Sequence, residues 1–196
     1  MLGVDRAEFC HEAPYEDSPS FIGSNATISA PHMHAFALEA SLPALRPGAK
    51  VLDVGSGSGY LSVCYAQLVK PNGKVVGIEH IDELVEASIR NSEKSHKDML
   101  GSGLLAFVVG DGRLGYPSEA PYDVIHVGAA SGEIPKALVD QLAPGGILII
   151  PVGDEDSQVI TVVQKDAQGN ISSKEVLPVR YVPLTDKSSQ LRLRLF

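Results

Sequence analysis

The sequence predicts a doubly wound α/β fold: a mostly parallel sheet with helices on both faces, followed by a C-terminal β-hairpin extension. Three observations carry this. The strand candidates, such as "VVGIE" (75–79) and "GILIIPVG" (146–153), are near-continuous apolar runs, as in parallel strands buried on both faces. They alternate with helical patterns, which is the rhythm of strand–helix–strand units. After residue 156 the style changes: "QVITVVQK" and "ISSKEVLPVRYVPL" flank the turn "DAQGN".

The elements follow in order. The first thirty residues are rich in Pro, Ser, Asn and acidic residues and read as mostly loop. From Ala35 a helix is expected, with Phe36, Leu38, Leu42 and Leu45 roughly on one side and "RPGAK" (46–50) ending it. Val51 to Val54 is a short buried strand. Leu61, Cys64, Tyr65, Leu68 and Val69 give a helical face closed by "KPNGK" (70–74). A strand over 75–79 leads to a helix marked by Leu84, Val85, Ser88 and Ile89, which fades into polar "NSEKSHKD". Strands over 104–110 and 122–130, a helix over 134–142 and the strand 146–153 complete the core. The chain divides into an N-terminal loop and cap segment (1–34), a core (35–155) and the β extension (156–196), all in one domain.

Composition narrows the function classes. The chain has 196 residues, 44% of them hydrophobic and 20% charged, which suits one globular domain. A net charge of −8 without a Lys/Arg block argues against nucleic acid or an anionic membrane surface as partner. No apolar stretch is long enough to span a bilayer, and "MLGVDRAEFCHEAPYEDS" does not read as a secretory signal. Cys10 and Cys64 form no CxxC, so a reducing cytosolic setting with two free thiols is expected.

The chemistry begins at "VLDVGSGSGY" (51–60). Gly55, Gly57 and Gly59 follow a strand and open a helix, where glycine permits a tight turn and close approach to a ligand. The dinucleotide fingerprint G-x-G-x-x-G would need glycine at 60, where the chain has Tyr60. The next strand ends at Glu79, placed to bind a ribose diol, and the third ends at Asp111 in "GDG". Ligands in such sheets bind outside the carboxyl ends of the strands, so Asp53, Glu79 and Asp111 are expected to converge on one crevice. Such an acidic site suits a cationic cofactor without phosphates, such as S-adenosylmethionine, better than the pyrophosphate of NAD.

These residues resemble a class I S-adenosylmethionine-dependent methyltransferase with a Rossmann-like fold. The resemblance extends over nearly the whole chain to the protein-L-isoaspartate O-methyltransferase family. It is carried in order by "ATISAPHMHA" (26–35), "LDVGSGSGYL" (52–61), "GIEHI" (77–81), "VVGDGRLGY" (108–116), "APYDVIHVGAA" (120–130), "DQLAPGG" (140–146), "IPVG" (150–153) and "YVPLTDK" (181–187). It implies methyl transfer from S-adenosylmethionine, leaving S-adenosylhomocysteine, to the α-carboxylate of L-isoaspartyl residues in damaged proteins and peptides. The ester then cyclises to a succinimide that reopens partly to normal aspartate. A cytosolic monomer is expected. Family members usually carry a further helical segment ahead of the stretch matched by "MLGVDR". Two alternatives therefore stand beside the leading reading: a truncated form that binds cofactor with weak or no turnover, and a class I methyltransferase with another carboxylate acceptor.

The resemblance also implies site residues. Ser29 is the designated active-site residue, and Ala26, Thr27, Ile28 and Ser29 lie against cofactor and substrate. His34 is a cofactor-side contact, and Gly55, Ser56, Gly57 and Ser58 form the loop beneath the cofactor. His80 lines the adenosine pocket beside Glu79, Asp111 and Gly112 meet the adenine, and Thr185 and Gln190 contact the cofactor region. Read from the residues alone, Ser29 also fits a helix N-cap, with Pro31 in the first turn. An acceptor carboxylate is ionised near neutral pH and needs orientation rather than a strong base. Ser29 is accordingly expected to orient it, not to attack. His32 and His34 are i and i+2, face different sides of a helix and have no third ligand nearby, so no metal is expected. His126 reads as a satisfied core histidine and Arg113 as a partner in a surface ion pair.

Overall fold

A computed structural model describes residues 1, 3–154 and 156–192. Its element order is β1 (Ser20–Gly23), β2 (Ala26–Ile28), α1 (Pro31–Ser41), β3 (Lys50–Val54), α2 (Tyr60–Val69), β4 (Lys74–Glu79), α3 (Asp82–Glu93), α4 (Lys97–Gly101), β5 (Leu105–Val109), β6 (Tyr122–Val127), α5 (Lys136–Asp140), β7 (Leu142–Gly153), β8 (Gln158–Lys165), β9 (Ile171–Val179) and α6 (Lys187–Arg192). Seven strands form one sheet in the order β5-β4-β3-β6-β7-β8-β9. The pairs from β5 to β7 are parallel, and β7–β8 and β8–β9 are antiparallel. This is the doubly wound sheet with a β extension that the sequence predicts.

The continuous apolar runs have the expected cause. Alternate residues of each strand enter two separate cores. Val51, Val75, Leu105, Val124 and Ile149 pack on one face with α1 and α2, which contribute Ala37, Leu61 and Val63. Leu52, Val54, Val76, Ile125 and Leu148 pack on the other with Leu138 of α5. Because both faces are dry, neither register position accepts a polar residue without a partner. Asp53 is the exception on β3, and it is paired, as described below.

Several boundaries differ from expectation. The opening segment is mostly loop, as expected, but it contains a hairpin: β1 and β2 join through Ser24 and Asn25, both at positive φ (50° and 54°). That is the conformation a two-residue primed turn demands, and Asn tolerates it. Helix α1 starts at Pro31, four residues early, and ends at Ser41, leaving Leu42 exposed. Polar "NSEKSHKD" contains the start of α4, anchored by buried Met99. The second strand of the extension stops at Val179, and the chain then bridges through Pro183 to Ala130, just past the carboxyl end of central strand β6. Residues 193–196 lie outside the described residues.

Candidate active site

The site sits where the chain reverses its direction of winding. From β3, one connection builds β4 and β5 outward, and β6 then pairs on the other side of β3. Loops leaving β3 and β6 therefore diverge and open a crevice at their carboxyl ends. The crevice is tight at its base. Gly128 N–H donates to the Val54 carbonyl at 2.8 Å, and a Cβ on Gly128 would stand 3.1 Å from the Gly55 carbonyl oxygen. Gly55, Gly57 and Gly59 all take positive φ (73°, 52° and 87°), so the loop turns in a way that L side chains rarely adopt.

The outer lobe of the crevice is small, about 50 Å³ in cavity volume, and partly open to solvent. Ala26 and Thr27 of β2 form one wall. Gly55, Gly57, Glu79, His80 and Gly112 come from the strand ends. Val182 to Thr185 and Gln190 close the mouth. An inner lobe shares Thr27, Gly55, Gly57 and Gly128 with it and adds Ile28, Ser29, His34, Asp53, Ser56, Ser58, Tyr60 and His126. No Lys or Arg lines either lobe among the described residues. Every site residue named from the sequence lines one lobe or the other, except Asp111.

The three carboxylates do not share one role. Glu79 lines the outer lobe, 7% exposed, and its oxygens accept from the N–H groups of His80 (2.8 Å), Ile81 (3.2 Å) and Gly57 (3.3 Å). Burial raises its pKa above the usual Glu range, and these three N–H groups pull against that shift. Asp53 is buried with both oxygens taken, one by His126 Nδ1 at 2.8 Å and one by Ser62 Oγ at 2.5 Å. Its carboxylate thus braces β3 against β6 and α2 beneath the loop. Asp111 lies outside the lining, with Arg113 forked across its carboxylate (Nε to Oδ1 2.9 Å, Nη2 to Oδ2 2.7 Å). Arg113 holds that carboxyl below its ordinary range. Of the three carboxylates expected to converge, Glu79 lines the outer lobe and Asp53 the inner one with its oxygens taken, while Asp111 lies outside the lining.

Ser29 is not an N-cap. The cap position is Ala30, whose carbonyl accepts from Met33 and His34, and it makes no side-chain cap bond. The capping oxygen comes from Asp17, which accepts from His32 N–H at 3.0 Å and also bonds His32 Nδ1 at 2.8 Å. Pro31 at the first position needs no acceptor. This leaves the Ser29 side chain free to face the inner lobe, where it meets the Tyr181 hydroxyl.

The C-terminal segment is laced across the mouth. Ala130 N–H donates to the Val182 carbonyl (2.8 Å) and Leu184 N–H to the Ala130 carbonyl (2.7 Å). Gln190 Oε1 meets His80 Nε2 at 2.6 Å, while its Nε2 donates to the Ser24 carbonyl at 3.0 Å. Sequence reasoning missed Arg6, Tyr60 and Tyr181, which lie around the inner lobe. Tyr60 directly follows the glycine loop and Tyr181 opens "YVPLTDK", signals that could have found them, whereas no motif marks Arg6. His126 is a satisfied core histidine, as read, but it also lines that lobe. Cys10 and Cys64 are free and buried, and burial pushes the Cys64 thiol up to about 11.

Comparison with known proteins adds the decisive observation. The profile of the protein-L-isoaspartate(D-aspartate) O-methyltransferase family matches residues 1–189. The chain belongs to this family. It is 56% identical to the protein-L-isoaspartate O-methyltransferase of Triticum aestivum over 195 residues, covering 98% of this chain and 84% of that protein. It is 53% identical to that of Caenorhabditis elegans over 190 residues, covering 97% and 84%. A Plasmodium falciparum protein-L-isoaspartate O-methyltransferase, solved with S-adenosyl-L-homocysteine, superposes with a TM-score of 0.88 at 36% identity, covering 94% of this chain and 87% of that one.

Proposed function

We propose that this chain transfers a methyl group from S-adenosylmethionine to the α-carboxylate of L-isoaspartyl residues in damaged proteins and peptides, initiating repair through a succinimide. Family membership supports the activity. The observation that carries it to the site is the serine-bearing inner lobe beside a crevice lined by a buried carboxylate and by no Lys or Arg.

The residues present fit the cofactor. Ser56 Oγ is buried at the inner lobe without a hydrogen-bond partner. Helix α2 begins at Tyr60 with Gly59 at the cap position and no side-chain cap, so its first N–H groups are available to an anionic group. Glu79 is placed for a ribose diol, and the absence of a lining cation disfavours a pyrophosphate cofactor. In this reading Ala26, Thr27, Ile28, Ser29 and His34 hold one side of S-adenosylmethionine, and Asp53, Gly55, Ser56, Gly57 and Ser58 form the floor. Glu79 and His80 take the ribose, Asp111 and Gly112 take the adenine, and Thr185 and Gln190 close over it. When bound, the cofactor supplies an electrophilic methyl group on a sulfonium.

The chain's task is then positional. Ser29 Oγ donates to an acceptor carboxylate that is already ionised, and the absence of side chains at Gly55 and Gly128 leaves room for it to approach. The segment 181–190 excludes water. Orientation of this kind lowers a barrier by about 7–11 kcal/mol in the best cases. Segments 1–34, 35–155 and 156–196 work as one catalytic unit. We further propose a cytosolic monomer whose partners are isoaspartyl chains, not nucleic acid or membrane. The net charge of −8 supports this, and no described helix is long and apolar enough to cross a membrane.

The test is label transfer from S-adenosylmethionine to an isoaspartyl peptide, run beside the same peptide with normal aspartate. Label on the isoaspartyl peptide alone, released as methanol by mild base, supports the proposal. Equal labelling of both peptides would assign another acceptor. Tight S-adenosylhomocysteine binding without transfer would assign a binding form.

A further inference from the structure

Arg6 lies in a short 3₁₀ turn (Arg6–Glu8) capped by the Asp5 carboxylate, and it is only 5% exposed. Its Nη1 stands 3.2 Å from His34 Nδ1, its Nη2 donates to the Ser29 carbonyl at 2.8 Å, and its guanidinium carbon lies 5.5 Å from the Tyr60 ring centre. Its Nε is buried with no partner, and no carboxylate of the described residues lies within ion-pair distance. A buried guanidinium without a carboxylate is costly, so it points to a partner that arrives with a ligand. Ser29, His34 and Tyr60, which Arg6 contacts, all line the inner lobe.

The chemistry of the contact with His34 fixes a tautomer. Arginine stays charged and can only donate, so His34 Nδ1 must accept and its proton must sit on Nε2. The groups facing His34 are Arg6 from the 3₁₀ turn, Tyr60 of α2 at 5.1 Å between ring centres, and His126 of β6. Burial, then Arg6, then His126 hold the imidazole well below its ordinary pKa, so it stays neutral.

We propose that Arg6 is a positioning residue for this site: it holds His34 as a neutral Nε2–H donor and sets a positive charge behind the Ser29 lobe that a ligand carboxylate meets. The carboxylate belongs to the amino-acid end of the cofactor or to the methyl acceptor, and this part rests on the proposed function.

The test uses the full chain labelled with ¹⁵N-histidine, with the His34 signal assigned by its loss in His34→Gln. Long-range ¹H–¹⁵N correlation should report the neutral Nε2–H form from about pH 8 down to about pH 6. A proton on Nδ1, or an imidazolium at pH 6, overturns the tautomer lock without any variant. Arg6→Lys keeps the charge but loses the planar fork, and should give mixed tautomers at His34. Binding of S-adenosylhomocysteine and of its decarboxylated counterpart is then compared between wild type and Arg6→Met. A loss of about tenfold or more for the carboxylated ligand alone assigns the charge to the cofactor. Unchanged binding, with KM for an isoaspartyl peptide about tenfold higher at constant kcat, assigns it to the acceptor. Equal losses for both ligands, or no change in any assay, overturn the charge role. If Arg6→Met fails to fold, Arg6→Gln, which keeps a planar donor without the charge, takes its place in the same binding and KM comparison. The tautomer and ligand-binding arms need no turnover, so they stand apart from any failure of the proposed activity.

Discussion

Replacing Glu79 by Gln should separate binding from stability. The wild-type carboxylate accepts from three N–H groups, two of them (His80 and Ile81) on one oxygen and Gly57 on the other at 3.3 Å. An amide oxygen can keep the first two. Its NH₂ would then face the Gly57 N–H, donor against donor, and forfeit that long contact, worth about 1 kcal/mol. Removal of a charge that burial opposes offsets part of this, so stability should change by less than about 1 kcal/mol. Ligand binding has no such offset. A neutral amide presents one acceptor where the diol needs two, and a hydrogen bond to a charged group is worth about 1.5–3 kcal/mol, or about ten- to a hundredfold in affinity. Calorimetric titration with S-adenosylhomocysteine and a urea melt measure the two quantities. Affinity within about threefold of wild type would refute the ribose role. A pH series adds a sign. Because the folded pKa of Glu79 is raised, the native state holds more protons than the unfolded chain just above the usual Glu range. Wild-type stability should fall as pH rises through that window, and Glu79→Gln should lose this component.

Ser29→Ala should slow turnover at least about tenfold while leaving thermal stability nearly unchanged, because Asp17 supplies the oxygen that caps α1. A loss near 1 kcal/mol in a urea melt would restore Ser29 as a cap. Gly128→Ala should weaken S-adenosylhomocysteine binding and cost about 1–3 kcal/mol, since its Cβ would meet the Gly55 carbonyl oxygen at 3.1 Å and neither backbone strand can give way easily. Unchanged binding would show that the crevice base is looser than its geometry. Leu148→Ala removes a fully buried side chain from the centre of the sheet and should cost about 2–5 kcal/mol with no change in the urea m value.

The local chemistry of the core was legible because it is periodic. Strands such as 75–79 carry no polar side chain before the strand end because they are covered on both faces, and that requirement is written residue by residue. The glycine loop was legible for a similar reason: positive φ at 55, 57 and 59 excludes most other residues. Glu79 followed from its place at a strand end. The β1–β2 hairpin was missed because each strand is only three or four residues long, too short to show a period. Helix α4 was missed because one buried side chain, Met99, anchors its five residues.

The sequence by itself determined the fold class, the cofactor loop and the family, since these rest on local backbone demands and on order along the chain. Which groups act together was decided by tertiary structure alone. Asp17 caps a helix fifteen residues ahead and so releases Ser29, Asp53 is bound to His126 and Ser62 beneath the loop, and Arg6 reaches His34 from a turn that shows no motif. These contacts join residues far apart in the chain, and a hydrogen bond's direction depends on three-dimensional placement, which no single stretch of sequence encodes.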